Sequence, residues 1–170
     1  PRSTLFPYTT LFRSDRDALK EGRDISDAIV SAAQDLLRSA FPQFAGLQAS
    51  CLSGKALKPV ASSSGPGGFF PEALQIHHNG AHHWVLSSSV GCDNGRVNIF
   101  DSLVGSGQPC SKSLLQQLAR VYGGDRLDTL LVNVRPVQQQ RGGHDCGIFA
   151  IAFATEIAFG GSPETVTYNQ

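Results

Sequence analysis

The spacing of apolar residues divides the chain into helices and strands. Between residues 25 and 40, apolar side chains recur at intervals of three and four, which predicts an amphipathic helix. Its apolar face is formed by Ile25, Ile29, Ala32, Ala33, Leu36 and Ala40. Asp24 and Ser26 are both candidate N-caps, and Pro42 is expected to end the helix.

The middle of the chain predicts strands. Residues 73–78 suggest a short one, and residues 84–90 and 96–101 are better candidates because they are rich in β-branched and aromatic residues. The intervening GCDNG is typical of a hairpin turn. A further apolar strand is predicted at residues 129–134, before Pro136.

Two more helices complete the predicted fold. One contains Leu114, Leu115, Leu118 and Val121 and ends at Gly123 and Gly124. The other begins near Cys146 and is apolar almost all round, so we expect it to be buried. The order helix, strands, helix, strand, helix is typical of an α+β fold.

Composition limits the classes of function. The 170 residues suit one domain, and 41% hydrophobic content supplies a core. A formal net charge of zero gives no reason to expect a nucleic-acid partner, and no apolar stretch is long enough to span a membrane. The four cysteines come without a signal peptide, which favours reduced thiols in an intracellular compartment.

The first fourteen residues, PRSTLFPYTTLFRS, resemble the conceptual translation of a common sequencing adapter. We therefore expect residues 1–14 to be an artefact outside the fold, and residues 15–170 to form the domain. We also expect the sequence to be a fragment that lacks a natural end.

Cys146 is the strongest candidate for chemistry. It follows QQQRGGHD and opens the last predicted helix, where the positive end of the helix dipole favours a thiolate. Gly142, Gly143 and Gly147 leave room for the backbone of another chain. The alternative for a lone cysteine is a buried structural residue.

His83 and Asp101 are candidate partners for the thiol. His83 precedes one predicted strand and Asp101 ends the next, so antiparallel pairing would bring the carboxylate beside the imidazole. Gln140 precedes Cys146 by six residues, and its amide can donate to an oxyanion together with the Cys146 N–H. The two preceding glutamines, Gln138 and Gln139, suit that role equally well on spacing alone.

The histidines do not predict a metal site. His77, His78, His82 and His83 lie close together in sequence, and Cys92 is nearby. Adjacent residues of a strand point to opposite faces, so neither histidine pair can hold one ion without distortion. We expect no functional metal.

Three segments together resemble a known family. HHWV, VNIFDSL and QQQRGGHDCGIFA occur in the order of the His-Trp, Asp-Ser and Gln-x-x-x-x-Asp-Cys-Gly signatures of the SUMO and ubiquitin-like protease family. The adenovirus-type endopeptidase is similar more distantly. The resemblance, from about Asp15 onward, implies a papain-like α+β fold with a mostly antiparallel or mixed sheet packed by helices. It places the catalytic cysteine at a helix N-terminus.

The same resemblance implies roles for four residues. His83 would be the base, Asp101 its orienting partner, Gln140 the oxyanion donor and Cys146 the nucleophile. The implied activity is a thiol protease, without a cofactor, that cleaves after the C-terminal Gly-Gly of a ubiquitin-like modifier such as SUMO or ubiquitin. We expect a monomer in the nucleus or cytoplasm, with the modifier or its conjugates as partner.

The resemblance also indicates substrate contacts. Trp84 would line the tunnel for the Gly-Gly tail, Gly147 would border it, and Asp27 matches an acidic residue that contacts the modifier. Asp24 stands where the family usually has tryptophan, so one tunnel wall is in question. Two alternatives remain: a modifier-binding module without turnover, and an acyltransferase of the same clan, whose usual acidic residue is glutamate rather than Asp101.

Overall fold

The computed structural model describes residues 15–18, 20–50, 57–60, 71–80, 82–93, 95–103, 110–123 and 130–170. The predicted adapter segment, residues 1–14, therefore lies outside the described residues, as do Asn94 of the predicted hairpin turn and Gly124.

A mixed sheet is the centre of the fold. Its strands are β1 (Ala45–Gly46), β2 (Ala73–His78), β3 (Trp84–Ser88), β4 (Arg96–Phe100) and β5 (Leu131–Arg135). They lie side by side in that order: β2, β3 and β4 are antiparallel, whereas β1 pairs parallel to β2 and β5 parallel to β4. The predicted central strands are confirmed. β3 ends two residues before its predicted end at residue 90, and β4 ends one residue before its predicted end at residue 101.

Residues 15–18 and 20 are helical, and three further helices follow: α1 (Asp27–Ala40), α2 (Lys112–Leu118) and α3 (Cys146–Ala158). A π-helical turn, Ala119–Gly123, continues α2. Ser26 caps α1, because its extended backbone turns the side-chain oxygen onto the Ile29 N–H, 3.4 Å away. Ile25, predicted to lie in this helix, precedes the cap. None of the described helices combines the length and hydrophobicity needed to cross a membrane.

The sheet carries a hydrophobic core on each face. Successive residues of β3 alternate, so Trp84 and Leu86 pack with α1 and α3, while Val85 packs with α2. The first core holds α3, which is buried through Phe149 and Phe153. The predicted α+β fold with helices packed on a mixed sheet is thus confirmed.

A polar network crosses the second core. His77 is fully buried, with Nδ1 3.1 Å from Gln117 Oε1 and Nε2 2.7 Å from Ser87 Oγ; Ser87 in turn lies 2.8 Å from the Tyr122 hydroxyl. Gln117 donates its own amide to the His78 carbonyl, so its oxygen accepts from His77 Nδ1–H. Burial lowers the pKa of His77 to about 4, so the ring is neutral at physiological pH.

The last residues of the chain hold the loop that leads into α3. The Gln138 side chain donates to the Tyr168 carbonyl at 2.9 Å and accepts from the Tyr168 N–H at 2.5 Å. The Tyr168 ring packs on Phe149 and Phe153, each 5.7 Å away between centroids. This loop, residues 136–145, is therefore tied to the helix it precedes.

Candidate active site

Three separate segments bring His83, Asp101 and Cys146 together. His83 immediately precedes β3, and Asp101 immediately follows β4. Because these strands are antiparallel, with Leu86 opposite Phe100, the start of one lies beside the end of the other. Cys146 is the first residue of α3, which packs across β3.

The histidine and the carboxylate form a short contact. His83 Nε2 lies 2.6 Å from Asp101 Oδ1, and the two side chains are 9% and 16% exposed. The same oxygen accepts the Leu103 N–H at 2.9 Å, which steadies the carboxylate. Burial lowers the pKa of His83, but the bond to Asp101 and the interaction with Cys146 outweigh it and raise the pKa to about 9. The ring is therefore protonated at neutral pH.

The second nitrogen of the His83 ring is the candidate partner of the thiol. Nε2 of His83 is occupied by Asp101, whereas Nδ1 is buried with no hydrogen-bond partner among the described residues. Cys146 contributes to the raised pKa of this imidazole, and Nδ1 is the ring nitrogen that Asp101 does not occupy. Cys146 is 3% exposed, yet it lines a surface groove.

The groove has an aromatic floor. The Trp84 ring is buried and meets the His78 ring edge to face at 4.9 Å between centroids. Burial, His82 and His83 lower the pKa of His78, so its ring is uncharged at neutral pH. Asp27, in the first turn of α1, also lines the groove. The structure thus places two of the three predicted substrate contacts, Trp84 and Asp27, in the same groove as Cys146; their roles stay predictions.

A polar pair stands where the family tryptophan was expected. Asp24 Oδ1 lies 3.0 Å from His144 Nδ1, and both residues line the groove. Their side chains are 57% and 60% exposed, so the pair is solvated. Sequence analysis had no role for His144, and no local signal could have found this contact because the two residues are 120 positions apart.

Gly147 lies against the chain's own side chains. A Cβ at this position would come 2.5 Å from Ile25 Cγ1 and 3.1 Å from Trp84 Cδ1. Close packing below α3 therefore explains this glycine, and its predicted role in substrate binding stays a prediction. At Gly142 and Gly143, in contrast, no atom lies within 4 Å of the place where a Cβ would be.

The structure separates the three glutamines. Gln138 is engaged with Tyr168, and exposed Gln139 donates to the Asp101 carbonyl at 3.0 Å. Gln140 is 8% exposed and donates from Nε2 to the Gly142 carbonyl at 3.0 Å. Its Oε1 accepts from Ser102 Oγ at 2.7 Å, a contact that sequence analysis missed. Gln140 remains the predicted oxyanion donor.

The histidines of β2 point in opposite directions. His77 enters the core behind the sheet, and His78 reaches the groove. Within the described ranges, no three His, Cys, Asp or Glu side chains are arranged to hold a metal ion. Cys92, Cys110 and Cys146 are free thiols, whereas Cys51 lies outside the described residues.

Comparison with known sequences identifies one family. Residues 74–169 match the family described as Ulp1 protease family, C-terminal catalytic domain. These residues include all four predicted catalytic residues. No curated protein sequence matches the chain.

Solved structures show the same fold. A SUMO protease Ulp1 with its catalytic cysteine oxidised to a sulfinic acid is 16% identical, with a TM-score of 0.63, and the match covers 91% of this chain and 75% of that one. The C-terminal Ulp1 protease domain in complex with Smt3, the yeast ortholog of SUMO, is 14% identical with a TM-score of 0.64 over 90% and 73%. A de-sumoylating protease is 17% identical with a TM-score of 0.55 over 86% and 67%.

Proposed function

The chain belongs to the Ulp1 protease family, and from that premise we propose that it is a thiol protease that cleaves after the C-terminal Gly-Gly of a ubiquitin-like modifier. The observation that carries this proposal is the His83 ring, which is bonded to Asp101 through Nε2 and whose pKa both Asp101 and Cys146 raise. The Ulp1 domain in complex with Smt3 supports a SUMO-type modifier as the substrate.

The reaction follows from these positions. The Cys146 sulfur, as thiolate, attacks the carbonyl carbon of the terminal glycine, and the carbonyl oxygen becomes an oxyanion. The Cys146 N–H at the helix start and the Gln140 amide would donate to that oxyanion. As the C–N bond breaks, protonated His83 gives its proton to the leaving amine, and a thioester remains.

Hydrolysis then restores the enzyme. His83, now neutral, takes a proton from a water molecule that attacks the thioester carbonyl. The C–S bond breaks, the modifier leaves as a carboxylic acid that releases its proton to solvent, and the thiolate is again paired with the imidazolium. Asp101 keeps the ring oriented through both steps because its bond to Nε2 leaves Nδ1 as the nitrogen that exchanges protons.

The alternative of a modifier-binding module rests on Asp24. The solvated Asp24–His144 pair in place of an aromatic wall would hold the Gly-Gly tail less firmly. Turnover is favoured because thiol, imidazole and carboxylate are assembled, which binding alone does not require. An acyltransferase with the same residues is the third possibility.

Electrophilic probes test the proposal. The chain is incubated with SUMO and with ubiquitin, each carrying a C-terminal electrophile, and adducts are measured by mass. We expect an adduct that is lost in Cys146→Ala and kept in Cys92→Ala, a matched change at another free thiol. The small change at position 146 should preserve the cooperative thermal melt.

Other outcomes contradict the proposal. A stable complex with a modifier but no adduct would favour the binding module. Acetyl transfer to a protein lysine, with no reaction toward any modifier, would favour the acyltransferase. Loss of the melt in Cys146→Ala would show that this cysteine is mainly a core residue.

A further inference from the structure

The turn after β4 supports both halves of the candidate site. Asp101 holds His83 through its carboxylate, and its backbone carbonyl accepts from Gln139. The next residue, Ser102, contacts Gln140 twice: its carbonyl accepts the Gln140 N–H at 2.8 Å, and its hydroxyl donates to Gln140 Oε1 at 2.7 Å. Two consecutive residues therefore hold the base and the predicted oxyanion donor.

The contacts determine which way the Gln140 amide faces. The Gly142 carbonyl only accepts hydrogen bonds, so the amide atom beside it is the nitrogen Nε2. The oxygen then lies toward Ser102, whose hydroxyl must donate. One Nε2–H is used by Gly142, and the second has no acceptor in the described part of the chain. In the proposed function, that hydrogen is the one that Gln140 would donate to the oxyanion.

Burial makes the serine contact important. Ser102 is 1% exposed and Gln140 is 8% exposed, so water does not readily replace the hydroxyl. Without it, Gln140 Oε1 would be a buried acceptor with no partner unless the amide rotates, and leaving such an acceptor unpaired is unfavourable. Rotation would aim Nε2 away from its present direction.

From this geometry we infer that Ser102 is a positioning residue that orients the Gln140 amide toward the oxyanion. The inference rests on the proposed function and adds a residue to it. Because an oxyanion exists only in the transition state and the intermediate, loss of its donor lowers kcat and leaves KM largely unchanged.

The test compares buried serines. Ser102→Ala is measured beside Ser89→Ala. Ser89 follows the far end of β3, and its buried hydroxyl accepts from the Ala73 N–H and donates to the Pro71 carbonyl. The substrate is a modifier with a fluorogenic C-terminal amide. We expect kcat to fall roughly 10- to 100-fold in Ser102→Ala, less than for complete removal of an oxyanion donor, and to stay unchanged in Ser89→Ala. Ser102→Thr keeps a hydroxyl and should retain most of the rate.

A double-mutant cycle separates positioning from general destabilisation. In a Gln140→Ala background, Ser102→Ala should cost little further activity, because the group it orients is gone. The Gln140 side-chain amide signals, identified in NMR spectra by their absence in Gln140→Ala, should shift in Ser102→Ala and not in Ser89→Ala.

Each contrary result has one meaning. An active wild type whose kcat survives Ser102→Ala, or an equal loss of kcat in both backgrounds, overturns the inference alone. A wild type that turns over no modifier substrate overturns the proposed function, and with it the catalytic part of this inference.

Discussion

At the scale of single residues, Asp101 controls the charge of the candidate base. Its Oδ1 accepts from His83 Nε2 and from the Leu103 N–H, and its side chain is 16% exposed. The carboxylate therefore stabilises the imidazolium where solvent screens it poorly. Without this bond, only Cys146 would oppose burial, which lowers the pKa of His83.

Asp101→Asn should move the pH profile of the reaction. The pKa of His83, about 9 in the native chain, would fall, so the protonated ring would be lost at lower pH. We expect the alkaline limb of the kcat/KM profile to shift toward neutral pH, and kcat/KM at pH 7 to fall about 100-fold.

The matched control is Asp93→Asn, which makes the same change at a side chain that is 87% exposed. It should leave the profile as it is. An alkaline limb that stays in place in Asp101→Asn would show that another group titrates there.

At the scale of elements, α3 approaches β3 closely because its second residue has no side chain. Gly147 lets Ile25, which precedes the N-cap of α1, and Trp84, which opens β3, pack against the helix start. Three elements thus meet beside Cys146, and the groove floor depends on that contact.

Gly147→Ala should disturb this junction. The added Cβ would lie 2.5 Å from Ile25 Cγ1, so the side chain or the helix must shift, at a cost of about 1–3 kcal/mol. Thermal unfolding measures the cost, and the fluorescence of Trp84, the one tryptophan in the chain, should change in the folded state.

Gly143→Ala is the control for this change, since no atom lies within 4 Å of the place where the added Cβ would be. We expect it to be close to neutral for both readouts. Equal stability of Gly147→Ala and Gly143→Ala would mean that the junction repacks without cost.

At the scale of the whole molecule, two buried histidines make stability depend on pH in opposite ways. The folded pKa of His77 is about 4, below the unfolded value of 6.5. The unfolded chain therefore takes up a proton first, and the free energy of unfolding decreases as pH falls from 6.5 toward 4. The folded pKa of His83 is raised to about 9, so its contribution is complete below 6.5 and is lost as pH rises through 9.

His77→Gln should reduce the loss of stability in acid. Glutamine keeps a donor and an acceptor for Gln117 and Ser87 but does not titrate in this range. Between pH 7 and pH 5, the free energy of unfolding of the wild type should fall by about 2 kcal/mol more than that of the variant.

Urea titrations of both proteins at the two pH values measure this difference, and the contribution of His83 cancels between them. The same loss in both proteins would show that protonation of His77 is not the cause.

Much of this molecule could be predicted from local sequence. Apolar periodicity indicated α1, the central strands and the buried α3, because burial on one face imposes a period that residues near in sequence reveal. The ordered segments around His83, Asp101 and Cys146 indicated the family, which the comparison confirmed.

Tertiary structure decided what spacing left open. Ser26, not Asp24, caps α1, which leaves Asp24 for His144 across the groove. Of three adjacent glutamines, only Gln140 meets Ser102, because β4 ends beside the loop before α3. Such pairings join side chains up to 120 positions apart, and their geometry exists only once the sheet register and helix packing have formed.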